Sequence, residues 1–119
     1  MQVISIATGY TDETVNEFKK TFERLGLTKK DLLFARIFYN VNRLTSYDQN
    51  PLTFPLVIRT KEYAFCLADC NAGYGGTGPH GTVEVLKYLG FNFFENDIYM
   101  HRDNGITNLK YEAPHRHSA

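Results

Sequence analysis

The chain has 119 residues, 43% of them hydrophobic, and it carries 13 basic and 13 acidic side chains, which gives a formal net charge of zero. Its length predicts a single domain with a sizeable core, and the lack of a secretory signal or of the roughly 20 apolar residues that a membrane-spanning helix needs predicts a soluble, intracellular protein with no membrane partner. Zero net charge argues against the basic surface on which duplex DNA binding depends, so we expect any nucleotide ligand to be small, not a long nucleic acid.

The N-terminal part of the sequence predicts a strand followed by a helix. Residues 3–7 are mostly apolar and predict a buried strand. Val15 and Phe22 belong to an apolar stripe with helical spacing, and Gly26 is a typical helix stop. We therefore predict a helix over residues 11–25 that turns its stripe to the core.

Residues 32–44 fit both the alternation of a strand and the stripe of a helix. Their aromatic and β-branched content favours a strand. The second face of that strand carries Phe34, Arg36, Phe38, Asn40 and Asn42. Rings, a guanidinium and amides could stack on and hydrogen-bond to a base, although a face packed against another subunit would have the same composition.

The middle of the sequence predicts a loop and then a hairpin. Residues 45–55 are polar, contain two prolines and show no periodicity, which is typical of a loop. Residues 56–60 and 63–69 are two short apolar runs on either side of a polar pair, and this pattern predicts a tight β-hairpin.

Residues 70–81, which we call the glycine segment, contain five of the nine glycines. They lie between the predicted hairpin and a predicted helix over residues 82–89. Glycine can bring backbone N–H groups close to a ligand, and a helix N-terminus favours an anion such as phosphate. A long shaped turn or an interface loop would explain the same glycines.

The spacing of Gly73, Gly75 and Gly78 formally matches a dinucleotide-binding fingerprint. Residues 79–81 intervene before the predicted helix, and hairpins on both sides leave no room for a parallel βαβ unit. We therefore do not expect a doubly wound dinucleotide-binding domain.

The C-terminal part predicts a second hairpin and a tail. Residues 98–101 and 106–111 flank an Asn-Gly pair, which is a strong hairpin signal. Residues 114–119 are expected to be a flexible tail behind a domain over residues 1–113. The predicted fold is thus α+β, a single oligomeric domain with an antiparallel β-sheet and two or three helices.

The sequence contains no convincing catalytic or metal-binding set. Cys66 and Cys70 are four residues apart, too far for a disulfide along one strand, so we expect free, buried thiols. Cys70, His80 and Asp69 could in principle form a nucleophile, base and acid, but nothing in their spacing fixes that geometry. No metal ligands cluster, and we predict no metal and no cofactor. A binding protein is favoured over an enzyme.

An adenine-ribose-phosphate ligand would need guanidinium groups for its phosphates, rings for its base and polar groups for its sugars. Arg36, Arg59 and Arg102 are assigned to the pyrophosphate, and Tyr74 and Phe91 to stacking. The full set of predicted ligand-binding residues is Arg36, Arg59, Asn71, Tyr74, Gly75, Gly76, Thr77, Gly78, His80, Phe91, Asn92 and Arg102. The simpler explanations are surface arginines, asparagines in turns and core phenylalanines.

Three segments give the chain a family resemblance: VISIATGY at residues 3–10, FPLVIRT at 54–60 and ADCNAGYGGTGPHG at 68–81. In these segments it resembles small phage proteins of the first anti-Thoeris class, which act as sponges. The resemblance implies a homo-oligomer in the host cytoplasm that captures a cyclic ADP-ribose isomer made by a bacterial TIR enzyme and does not cleave it. The host's NAD-depleting effector is then not triggered.

The resemblance also implies that cyclic oligonucleotides could bind at separate sites. Two alternatives from other classes stay open. One is a small nucleotide-processing enzyme, either a phosphodiesterase or a hydrolase. The other is a phage inhibitor that acts on a protein partner. Because 119 residues enclose a nucleotide with difficulty, a pocket completed by a second subunit is expected.

Overall fold

Five strands form one mixed β-sheet in the computed structural model, which describes residues 1–39, 53–73, 75–100 and 105–112. In chain order the strands are β1 (Gln2–Ile6), β2 (Leu32–Tyr39), β3 (Leu56–Thr60), β4 (Tyr63–Leu67) and β5 (Gly105–Lys110). Their order across the sheet is β1, β4, β3, β2, β5. Only β1 and β4 pair in parallel, and the other neighbours are antiparallel.

The described residues also form three α-helices: α1 (Thr11–Arg24), α2 (Thr77–Leu89) and α3 (Glu95–Met100). The predicted α+β class, the first helix and the β3–β4 hairpin are confirmed. Residues 32–39 form the strand that alternation favoured, while the rest of that prediction lies outside the described residues, as do most of the predicted loop and the predicted tail.

The main core lies between the helices and one face of the sheet, which we call the helix face. Phe18 of α1 is fully buried, and its ring meets that of Phe65 edge to face with 5.2 Å between centroids. Ala35, Ile37 and Ile58 are also fully buried in this core. Because side chains alternate along a strand, the residues between them point to the opposite side, which we call the back face.

Helices α1 and α2 approach each other closely at Gly81. A β-carbon at this position would clash with Cγ2 of Thr11 and lie 3.3 Å from Cγ2 of Val15. Beside the contact, Nζ of Lys19 forms an ion pair with Glu84 at 2.8 Å. Packing of the two helices therefore explains one glycine of the glycine segment without any ligand.

Helix α2 begins at Thr77, five residues before the predicted start. Pro79 falls in its first turn, where the N–H that proline lacks would have no helical partner. The backbone N–H of His80 already donates to the carbonyl oxygen of Gly76 at 3.1 Å. Gly90 ends the helix in a left-handed conformation, as predicted. The end of the glycine segment, residues 77–81, is thus helical.

Two other predictions are wrong. Residues 95–100 form α3 in place of the first strand of a second hairpin, and β5 pairs instead with β2, where Gly105 lies opposite Tyr39. A remote partner strand overrides the local Asn-Gly signal. The N-terminal strand β1 is also not buried, because it lies at the sheet edge and leaves Val3 44% exposed.

Candidate functional site

Three side chains on the back face place two guanidinium groups near one aromatic ring. Phe34 and Arg36 are two residues apart on β2 and therefore share a face, and Arg59 of β3 lies opposite Phe34 in the strand register. The guanidinium carbons of Arg36 and Arg59 lie 5.7 and 5.8 Å from the centroid of the Phe34 ring. Both distances fall within the range of about 6 Å in which a cation is attracted to a ring.

No carboxylate neutralises either guanidinium within the described part of the chain. Nε of Arg36 donates a hydrogen bond to Oδ1 of Asn108 at 3.3 Å. Nε of Arg59 is buried and has no hydrogen-bond partner among the described residues. An unsatisfied buried donor costs about 1–3 kcal/mol, and its burial keeps Nε of Arg59 out of reach of a ligand at the surface.

A recess of about 550 Å³ opens next to these side chains. It is lined by Leu33, Phe34, Arg36, Asn108 and Lys110, and we call it the cationic recess. Lys110 of β5 lies opposite Phe34 on the side away from Arg59. Phe34 therefore has a basic residue opposite it on each neighbouring strand. The volume falls within the range of about 300–1,000 Å³ that is typical of small-molecule sites. The lining therefore suits a planar anion.

The glycine segment lies at the other end of the sheet. Phe34 lies opposite Arg59 of β3, and Arg59 lies opposite Ala64 near the start of β4. The glycine segment follows the other end of β4. Gly73 donates its N–H to the carbonyl of Ile98 at 2.8 Å, which ties the segment to α3 on the helix face. The glycine segment and the cationic recess are thus two separate regions.

The start of α2 offers few groups to an anion. Pro79 has no N–H, and that of His80 is used within the helix, which leaves the N–H groups of Thr77 and Gly78. Gly75, Gly76 and Thr77 are exposed, whereas Gly78 is buried. Asn71 is also buried, and its carbonyl accepts a 2.6 Å hydrogen bond from the hydroxyl of Thr82. This region is built largely by internal contacts.

The three glycines with dinucleotide-fingerprint spacing lack the βαβ unit that such a fingerprint requires, although one of the two predicted obstacles is not present. Residues 79–81 do not intervene before the helix but belong to α2. After α2 the chain continues into α3 and then β5, which joins the far edge of the sheet antiparallel to β2. Within the described residues no strand returns beside β4 in parallel after α2, as a βαβ unit requires.

Cys70, His80 and Asp69 do not form a catalytic arrangement. Cys70 is fully buried, and burial raises the pKa of its thiol far above the ordinary value. Oδ2 of Asp69 accepts hydrogen bonds from the Thr14 hydroxyl at 2.6 Å and from the N–H of Gly9 at 3.2 Å. Nδ1 of the exposed His80 lies 3.4 Å from the Tyr99 hydroxyl. The two hydrogen bonds to Asp69 anchor the start of α1 to the end of β4. Both cysteines are free and buried, as predicted.

The remaining predicted ligand residues are dispersed. Phe91 is 6% exposed and packs edge to face on Tyr111 at 5.3 Å, which makes it a core residue. Asn92 is exposed and borders a second cavity on the helix face. Tyr74 and Arg102 lie outside the described residues. The structure therefore brings together Arg36 and Arg59 but not the whole predicted set.

The sequence pattern places Phe34 on a polar and aromatic face, but Phe34 is not among the predicted ligand-binding residues, and neither are Asn108 and Lys110. Alternation along β2 was sufficient to pair Phe34 with Arg36. No local signal could have shown that β5 lies beside β2, because the β3–β4 hairpin, α2 and α3 lie between the two strands in sequence.

No family model, no curated protein and no solved structure matches this chain. Among the described residues, no helix has the length and apolar character needed to cross a membrane. The same residues contain no group of three or more His, Cys, Asp or Glu side chains that could hold a metal ion.

Proposed function

We propose that the protein binds a small phosphorylated nucleotide of the cyclic ADP-ribose class at the cationic recess and holds it without cleaving it. The observation that carries the proposal is the pair of guanidinium groups beside Phe34, neither neutralised by a described carboxylate. A pyrophosphate in the recess would accept charge-assisted hydrogen bonds from Arg36 and Lys110, which line it, while the guanidinium of Arg59, 5.8 Å from the centroid of the Phe34 ring, would add positive potential nearby. A purine would stack on the ring of Phe34.

Sequestration requires enclosure and charge complementarity but no nucleophile. The recess is shallow on a single chain, since five side chains from two strands form its described lining. We therefore include a homo-oligomer in the proposal, in which a second subunit covers the ligand. In a phage-infected cell, capture of the signal in the host cytoplasm would keep the TIR-dependent Thoeris response from starting, as the family resemblance implies.

The proposal is tested by measuring free ligand twice. Purified protein is incubated with an equimolar cyclic ADP-ribose isomer, the free ligand is quantified after ultrafiltration, and the protein is then denatured by heat and the ligand is quantified again. Depletion followed by full recovery is the expected result. Lasting loss would mean that the protein is a nucleotide-processing enzyme, and no depletion would refute nucleotide capture and favour a protein partner.

Variants locate the site. Arg36→Gln should weaken capture by about tenfold or more, because it loses a charge-assisted hydrogen bond worth about 1.5–3 kcal/mol. Arg59→Gln removes a charge that lies outside the lining and should weaken capture less. Lys20→Gln is the matched control, since it removes one exposed positive charge from α1. An equal loss in Lys20→Gln would mean that general charge attraction, not the recess, accounts for binding.

The part played by the glycine segment is tested separately. Gly76 is exposed immediately before α2, and Gly76→Val adds bulk there without touching the recess. If this variant captures ligand as the parent does, the glycine segment is not part of the site. Loss of capture with an unchanged unfolding midpoint would place the ligand at the start of α2, against the recess.

A further inference from the structure

A second cavity, of about 620 Å³, lies on the helix face between β2, β5 and α3. Three aromatic rings line it, those of Tyr39, Phe93 and Phe94, together with the carboxylate of Asp97 and aliphatic walls from Ile37 and Leu109. We call it the aromatic cavity. It shares β2 and β5 with the cationic recess but lies on the opposite face, because Ile37 and Tyr39 alternate with Arg36 along β2.

The charge of the aromatic cavity is opposite to that of the recess. Asp97 is exposed, and among the described residues it forms no ion pair, nor does any lysine or arginine line the cavity. Burial and the nearby Asp97 carboxylate raise the pKa of Tyr39, while a hydrogen bond with Thr107 acts in the other direction. The phenol therefore stays neutral around pH 7, and the described lining of the cavity carries one charged side chain, the carboxylate of Asp97.

Two of the three rings are accessible to a guest, whereas Tyr39 is only 4% exposed. Phe94 is 80% exposed, although a large apolar ring is normally buried, and Phe93 is half-buried. The face of an aromatic ring carries negative potential and attracts cations, most strongly those whose hydration is weak. Aromatic rings with a nearby carboxylate and aliphatic walls complement an ammonium ion that carries methyl or methylene groups.

We propose that the aromatic cavity is a binding site for an organic cation, namely an ammonium group with apolar substituents. Asp97 supplies the countercharge, Phe93 and Phe94 supply the ring faces, and Leu109 contacts the substituents, while Tyr39 and Ile37 form the buried floor. A nucleotide phosphate would be repelled by Asp97. This site is independent of the nucleotide capture proposed for the back face.

The test compares acetylcholine with 3,3-dimethylbutyl acetate, its uncharged carbon isostere, in titrations followed by NMR. The two probes have nearly the same shape, so a difference in affinity measures the contribution of charge. We expect acetylcholine to bind about tenfold more tightly than the isostere, in line with cation–ring and carboxylate contributions. Equal affinities, or no binding of acetylcholine, would overturn the proposal, as would tighter binding of AMP at the same residues.

Variants assign the effect to the cavity. Asp97→Asn keeps the shape but removes the charge, and Phe94→Leu replaces an exposed ring; each should weaken acetylcholine binding about fivefold with little effect on the isostere. Asp12→Asn, an exposed acid at the start of α1, is the matched control and should change nothing. If Asp97→Asn binds acetylcholine as the parent does, the proposal is wrong.

The recess variant Arg36→Gln separates the two proposed sites. It should leave acetylcholine binding unchanged, because its side chain lies on the back face. If nucleotide capture fails in every assay while acetylcholine still binds with the expected preference, only the nucleotide proposal falls. If Arg36→Gln and Asp97→Asn abolish acetylcholine binding equally, the cation site as described here is refuted.

Discussion

Replacement of Gly81 by alanine tests the packing of α1 against α2. In an isolated helix this change would stabilise by about 1 kcal/mol, because glycine is a poor helix former. Here the new methyl group would clash with Cγ2 of Thr11 and press on Cγ2 of Val15. Overpacking of this kind costs about 1–3 kcal/mol. The direct clash with Thr11 points to the upper part of this range, about 2–3 kcal/mol, so after the gain of about 1 kcal/mol in helix propensity we expect Gly81→Ala to lower the free energy of unfolding by about 1–2 kcal/mol.

A second substitution identifies the clash as the cause. Thr11→Ser removes Cγ2 but keeps Oγ1, which donates a 2.9 Å hydrogen bond to the carbonyl of Asp69. In the double variant the alanine methyl occupies the vacated space, so the cost of Gly81→Ala should nearly vanish. The coupling between the two positions should be about 1–2 kcal/mol, in the range of residues in direct contact.

The assay is unfolding in urea, monitored by circular dichroism. All variants are analysed with the same slope of unfolding free energy against urea concentration. Gly75→Ala is the control, because a β-carbon at Gly75 would meet no atom within 4 Å, and it should shift stability by less than about 0.5 kcal/mol. If Gly81→Ala is as stable as the parent, or if Thr11→Ser fails to suppress its effect, the close approach of α1 and α2 is not what requires glycine.

Two further predictions concern buried polar groups. Asp69→Ala should destabilise the protein by about 2–3 kcal/mol in urea unfolding, because Thr14 and Gly9 lose a charged hydrogen-bond acceptor. The control Asp12→Ala should have little effect. Similar destabilisation by the two substitutions would contradict an anchoring role for Asp69. Burial raises the pKa of Cys66 to about 11 and that of Cys70 further, so both thiols should resist iodoacetamide at about pH 8 in the folded protein and react in urea, as measured by mass spectrometry. Since the folded pKa values exceed the unfolded value of about 8.5, the stability that the neutral thiols contribute is complete below that pH and is lost as the pH rises toward and beyond 11. Rapid labelling of the native protein would show that the cysteines are accessible.

The candidate site could be recognised in the sequence only in part. Alternation along β2 put Arg36 and Phe34 on one face, and the hairpin signal placed Arg59 on a strand. Only the structure shows that this strand lies beside β2. The predicted link between these residues and the glycine segment failed, because strand register sends them to opposite ends and faces of the sheet. Phe91 resembled a stacking platform but is a core residue, since an aromatic side chain alone does not reveal its burial.

The amino-acid sequence by itself determined the elements whose signals are local. The apolar stripe of α1, the alternation of β2 and the short hairpin between β3 and β4 each depend on side chains within a few residues of one another. Periodicity of 3.6 specifies α1 because it follows from backbone geometry alone. Residues 32–39 fit both periods, and their aromatic and β-branched content decided for a strand.

Only the tertiary structure decided which remote segments meet. It placed β5 beside β2, β1 in parallel beside β4, and Gly81 against Thr11. Pairing between distant strands depends on the competition among all possible partners for burial and hydrogen bonds, which no single window of sequence records. Lys110 and Asn108 therefore joined the cationic recess, and the aromatic cavity formed, through contacts that became visible only in the folded chain.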